Sequence, residues 1–181
     1  MEIIDKLRQI KVNIKEKDIL QALQIRKRWP HKYTFYNEPS AELIDNYGMN
    51  MQHELYDLDN YLNYSKLLDC YEKGFTILLS NILDIHGDLR KVESVLRDVI
   101  GHGCWANLYF SKGGTGRKPS FDYHKHPYDV AVKQIYGTSP WIVGDEKFIL
   151  KPNQVLYIPK ETNHQVTSIE GKKLSLTINL T

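Results

Sequence analysis

From Cys104 onward the chain reads as short strands separated by turns. Short apolar or alternating runs follow one another with turn residues between them. "CWANLYFS" (104–111) leads into the loop "KGGTGRKPS", and then come "FDYHKH", "VAVKQIYG", "SPWIVG", "EKFIL", "QVLYIP", "HQVTSI" and "KLSLTINL". None of these runs is long enough for a helix that could bury a face. Closely spaced strands of this kind cover their apolar sides in a sandwich or barrel of antiparallel sheets.

The first half has a different texture. Residues 1–29 read as helical, with a helix starting after Asp18 as N-cap and Ile19, Leu20, Ala22 and Leu23 on its apolar side. Pro30 and Pro39 in "WPHKYTFYNEPS" limit any helix to either side. Residues 40–73 are tyrosine-rich and irregular, with a helical piece in "NYLNYSKLLDCYEKG" ending at Gly74, and their acidic and aromatic side chains at 36–64 are candidates for a lid or a dimer surface. "FTILLSNI" (75–82) reads as a buried strand. A helix then runs over 88–100, with Asp88 as N-cap, Leu89, Val92, Leu96 and Val99 at helical spacing and Gly101 as the stop. The expected class is α+β: one domain over 1–181, a mainly helical extension (1–73) packed on a β-rich core (74–181).

Charge and composition exclude several functions. A net charge of +2 argues for neither a nucleic-acid surface nor a membrane surface, and the dense basic run "IRKR" (25–28) sits where a helix would end, which the helix dipole explains. Twelve tyrosines without a basic stripe do not make an RNA-binding face. "KGGTGRK" lacks the spacing of a phosphate loop and no helix follows it; a strand connection overhanging the mouth of a barrel accounts for it. Cys70 and Cys104 are too far apart for a metal-ligand pair, and Cys104 beside Trp105 reads as a buried strand residue. With no signal peptide and no apolar run of transmembrane length, the expectation is a reduced, cytoplasmic protein.

Two histidines in "FDYHKHPYDV" carry the chemistry. Residues two apart on a strand share a face, so His124 and His126 can converge on one ion. His164 follows "YIP" after a short loop and supplies a third imidazole if the sheet folds back. Imidazoles with open coordination positions suit iron, copper, nickel or zinc. His31, His53, His86 and His102 lie in helix-rich or loop segments and read as structural or solvated.

From about Tyr71 to the C-terminus these motifs, in this order, resemble the double-stranded β-helix (jelly-roll) of the cupin superfamily. The nearest likeness is to the JmjC-type oxygenases of the ribosomal-oxygenase and asparaginyl-hydroxylase branch. "NLYFS" resembles the strand before the first ligand motif. "HKHPYDVAVKQIYGTSPW" is similar to that family's His-x-Asp followed by a Gln-containing strand, Gly and Trp, and "LKPNQVLYIPKETNH" resembles its L-x-P-G-D-x-L-Y-I-P-x-x-x-x-H. The resemblance implies Fe(II), 2-oxoglutarate as co-substrate, and hydroxylation or oxidation of a C–H bond of a small molecule, peptide or protein. It puts the metal ligands at His124, His126 and His164, with His126 where the family has Asp or Glu, and a structural role at Asp129. Val130 or Ala131 stands where the wider cupins have a ligand Glu. The basic residue that pairs with the distal carboxylate of 2-oxoglutarate is replaced by Ser139; Lys133 is the nearest alternative cation, and Asn107 and Tyr123 are further polar candidates for the pocket. Three readings stay open: a 2-oxoglutarate-dependent Fe(II) oxygenase, a three-histidine iron oxygenase that binds its substrate directly, and a non-catalytic cupin-like module. A homodimer is compatible with each.

Overall fold

The computed structural model describes residues 2–25, 40–51, 54–57, 61–101, 105–115 and 119–180. Most of the basic run 25–28, the segment around Pro30 and Pro39, His31, His53, His102, Cys104 and part of the loop after Ser111 lie outside the described residues.

Helices come first. In α1 (Glu2–Gln9), Ile3, Ile4 and Leu7 form one buried stripe, and in α2 (Glu16–Ile25) Ile19 and Leu23 do the same. Asp18 lies inside α2 and not before it; its carboxylate accepts from the Lys15 N–H at the helix start. Helix α3 (Tyr64–Glu72) begins at Asn63, whose side chain accepts from the Lys66 N–H. Helix α4 (Gly87–Ile100) buries Leu89, Val92 and Leu96. His86, and not Asp88, caps it, its Nδ1 accepting from the Asp88 N–H, while Gly101 (φ 82°) ends it as the sequence predicts.

Among the described residues, nine strands form two antiparallel sheets. They are β1 (Ser40–Ile44), β2 (Thr76–Ser80), β3 (Trp105–Ser111), β4 (Asp129–Tyr136), β5 (Ser139–Val143), β6 (Glu146–Leu150), β7 (Val155–Ile158), β8 (His164–Val166) and β9 (Lys173–Leu180). The large sheet runs β1-β2-β3-β9-β4-β7 and the small one β6-β5-β8. Two expectations change. Residues 40–44, read as irregular, are the fully buried edge strand β1. "FDYHKH", read as a strand, forms no strand; its one backbone bridge to the sheet is the antiparallel pair His124 and His164.

The large sheet keeps two different faces. One carries Ile77, Leu79, Leu108, Phe110, Leu174, Leu176 and Ile178, all buried in one apolar core with the helices. Tyr71 of α3 stacks on Phe110 at 4.4 Å and ties that helix to the sheet. By strand alternation the other face carries Thr76, Ser111, Ser175 and Thr177, and it turns toward the small sheet, where Val130, Val132 and Ile158 pack against Trp141 and Leu150. The helices therefore cover the carbon face, and the barrel interior is left with a hydroxyl-rich wall. No described helix is long and apolar enough to cross a membrane.

The turn between β4 and β5 is built against β9. Gly137 sits at φ 68°, and a Cβ there would lie 2.0 Å from the Lys172 carbonyl oxygen. Gly144, at φ 57°, has open space around it. Gly137→Ala should therefore lower stability by on the order of 3 kcal/mol, through left-handed strain plus displacement of the β9 backbone, against about 1 kcal/mol for Gly144→Ala. Urea denaturation of the two variants checks this; equal losses would contradict the close approach.

Candidate metal centre

The triad is assembled where the loop carrying His124 and His126 binds, through its backbone, the start of β8 and the turn before it. His124 N–H donates to the His164 carbonyl (3.1 Å) and His164 N–H donates back to His124 (2.7 Å). Two residues on, Glu161 N–H donates to the His126 carbonyl (2.7 Å), and Lys125 pairs with Glu161 at 2.5 Å. Asp129 locks the far end: Oδ1 accepts from Lys160 N–H (2.8 Å) and Oδ2 from the Tyr157 hydroxyl (2.8 Å), bonds that hold its carboxyl below the usual range. Asp129 thus braces the loop, a structural role of the kind the family resemblance implies.

The three rings converge. Their centroids lie 4.6 Å (His124–His164), 4.9 Å (His124–His126) and 5.2 Å (His126–His164) apart, and one ring nitrogen from each falls within 4.8 Å of the others. His124 Nδ1 is 2.6 Å from the Asp122 carbonyl and His164 Nδ1 is 2.9 Å from the Thr162 carbonyl. A carbonyl only accepts, so each Nδ1 carries the proton and each neutral ring keeps its lone pair on Nε2. This outer hydrogen bond is the one that fixes tautomer and orientation in metal-binding histidines. His126 stacks on Tyr128 (5.0 Å, 7° between planes). Burial first, then the neighbouring imidazoles, push the His126 pKa down. Burial also lowers His164, outweighing the opposing bond to Thr162. Both rings are thereby held in the neutral form a metal needs.

A pocket opens beside the triad, walled by Tyr109, Phe121, Val130, Val132, Trp141 and Val166 among others. Its polar groups are Ser120, Lys173, Ser175 and Thr177 as well as the histidines; no carboxylate lines it among the described residues. Lys173 stands out there. It is 4 % exposed, burial pushes its pKa down to about 8, and among the described residues its ammonium makes no hydrogen bond or ion pair. Trp141 adds a buried Nε1–H without a partner among the described residues.

The other expected pocket residues go elsewhere. Lys133 projects from the opposite face of β4, where it is fully buried and its Nζ donates to the Leu7 carbonyl at the C-terminal end of α1 (2.9 Å). Ser139 is buried, and its hydroxyl donates to Gln134 Oε1 (3.0 Å), which also accepts from Ser175 (2.8 Å). That network joins β5 to the large sheet. Tyr123 is 47 % exposed and donates to the Gly144 carbonyl (2.8 Å) outside the pocket. Asn107 lies on the interior face of β3, yet its cross-strand partner Thr177 is the one that reaches the pocket. Sequence reasoning missed Lys173, because only the pairing of β9 with β3 and β4 brings it beside the histidines. The inward phase of "KLSLTINL", with Lys173, Ser175 and Thr177 alternating against Leu174 and Leu176, was the available signal.

The sequence matches no protein-family model and no curated protein. Similar solved structures do exist. The ribosomal oxygenase YcfD of Escherichia coli superposes with a TM-score of 0.62 at 14% identity over 96% of this chain and 45% of that one. A cupin superfamily protein of Desulfitobacterium hafniense matches 44% of this chain and 68% of that one (TM-score 0.38, 20% identity). A conserved Streptococcus pyogenes protein of unknown function matches 43% and 65% (TM-score 0.36, 15% identity). The chain has a cupin-like jelly-roll fold. It spans less than half the length of the ribosomal oxygenase.

Replacing any one of the three histidines by alanine should weaken Co(II) binding at least about a hundredfold, a larger loss than the 10–100-fold typical of removing an outer partner. Equilibrium dialysis with metal analysis checks this; one bound ion per chain in the wild type and full retention in His164→Ala would contradict the ligand set.

Proposed function

We propose that the chain is a non-haem Fe(II) oxygenase that uses 2-oxoglutarate, with His124, His126 and His164 as metal ligands and Lys173 as the anchor for the distal carboxylate. The observation that carries this reading is the unpaired ammonium of Lys173 in the same pocket as the triad. The ammonium faces the pocket without a partner among the described residues, and a ligand carboxylate there would supply a charge-assisted bond. Charge counting points the same way. A divalent ion held by three neutral imidazoles keeps its full charge, and Lys173 adds another, so the pocket favours a dianion with one anionic end at the metal and one at the lysine. The fold likeness to a ribosomal oxygenase is consistent with this reading.

Fe(II), when bound, would supply the redox chemistry with O2 that couples decarboxylation of a 2-oxo acid to oxidation of a C–H bond. The chain's own groups do the rest. His124 and His164, held through Nδ1, present Nε2 in fixed directions. Trp141, Val130, Val132 and Val166 keep bulk water from the reacting centre, which strengthens every electrostatic contact inside. Lys173 orients the co-substrate from its far end, and the Nε1–H of Trp141 offers a further donor to a bound ligand.

A second reading is favoured by His126 itself. A neutral ligand in place of a carboxylate suits an anionic substrate that binds the iron directly, without a 2-oxo acid. The two separate cleanly. In calorimetric titrations of Ni(II)-loaded protein, 2-oxoglutarate should bind the wild type and should bind Lys173→Met at least about tenfold more weakly, the loss expected for one charge-assisted bond. Because the free lysine loses its proton as pH rises through about 8, binding above that pH should take up a proton and weaken. No binding to the wild type would leave the direct-substrate reading; equal binding by Lys173→Met would remove the lysine from the site.

A further inference from the structure

Strand β6 is an open sheet edge. It ends the order β6-β5-β8, and Glu146, Lys147, Phe148 and Ile149 are all exposed. Phe148 (36 %) and Ile149 (64 %) are the one consecutive pair of exposed large hydrophobics among the described residues. The two-residue turn Gly144-Asp145 joins β5 to β6, so Val143 and Glu146 form the hydrogen-bonded closing pair. Alternation then directs the backbone N–H and C=O of Lys147 and Ile149 away from β5, and no described backbone group bonds them there. Unpaired backbone beside exposed apolar side chains is a template for another strand.

We propose that β6 pairs antiparallel with β6 of a second copy of this chain, extending the small sheet across a two-fold axis at Phe148. The choice of occupant rests on self-complementarity. Hydrogen-bonding residues must face hydrogen-bonding residues, so the register can change only in steps of two. Centred on Phe148, it sets Phe148 against the partner's Phe148 and Asp145 against the partner's Lys151 at both ends. The neighbouring registers, centred on Lys147 or Ile149, oppose Lys147 with the partner's Lys147 or with the partner's Lys151, and like charges directly opposite are unfavourable. The Lys147 stem covers the partner's Ile149 while its ammonium stays in water. A strand this short makes a weak dimer, with dissociation roughly in the micromolar range. β6 is separated from the His164 strand by β5, so pairing leaves the metal pocket open.

Sedimentation velocity across that concentration range tests the pairing, with Co(II) stoichiometry measured on each variant to show that the fold is kept. The wild type should dimerise. Ile149→Pro removes an outward N–H together with the apolar side chain that the partner's Lys147 stem covers, and should give monomers. Asp145→Lys should weaken the dimer roughly tenfold, two contacts being lost per dimer, and adding Lys151→Asp should restore it. A monomeric wild type, a dimer that survives Ile149→Pro, or a charge swap that fails to rescue would each overturn the proposal.

Discussion

One antiparallel bridge holds the site together. The reciprocal bonds between His124 and His164 fuse an irregular loop to the short strand β8, and they put two imidazoles side by side. Both histidines then use the same local device, an Nδ1–H given to the carbonyl two residues earlier, Asp122 in one case and Thr162 in the other. The backbone bridge sets their spacing and the side-chain bonds set their aim. His126 joins through the same pair of segments, held by Glu161 on the opposite one. A three-histidine cluster built this way needs little from long-range packing beyond the brace of Asp129 on Tyr157 and Lys160.

The large sheet decides what kind of pocket surrounds the triad. Its helix-covered face is carbon, which leaves serine and threonine hydroxyls for the interior. Two buried lysines on opposite faces show the consequence. Lys133 lies under the helices, and burial also lowers its pKa, but a helix-terminal carbonyl satisfies its ammonium. Lys173 lies on the interior face with no protein partner among the described residues. Buried polar groups are nearly always satisfied. Lys133 therefore reads as structural, whereas Lys173, facing the pocket beside three imidazoles, is the residue on which the proposed ligand site rests.

Much of this was legible from the chain itself. The strands from Trp105 to Leu180, the helix before Gly101 and the three histidines all follow from local patterns of apolar spacing, turn residues and ligand pairing. The pocket's cation was not. Lys133 lies between Val132 and Gln134, two residues that face the interior, so alternation within β4 alone turns it outward; counting from Ser139 crosses the Gly137 turn and an irregularity at Gln134–Tyr136 and loses the phase. Alternation in "KLSLTINL" sets Lys173 on one face with Ser175 and Thr177, but that this face meets the histidines follows only from laying β9 between β3 and β4, which is long-range pairing. Strand β1 escaped for a related reason: its buried glutamate and serine, Glu42 and Ser40, read as surface until the interior is known to be polar.

The central claim is that the triad and Lys173 serve one dianionic ligand at one metal. Anaerobic Fe(II) protein titrated with 2-oxoglutarate tests it most directly, through the visible absorption that appears when a 2-oxo acid chelates ferrous iron. The band should appear in the wild type and be absent from His164→Ala. In Lys173→Met it should saturate only at higher 2-oxoglutarate, with the iron still bound. A wild type that binds iron and develops no band at any 2-oxoglutarate concentration would contradict it.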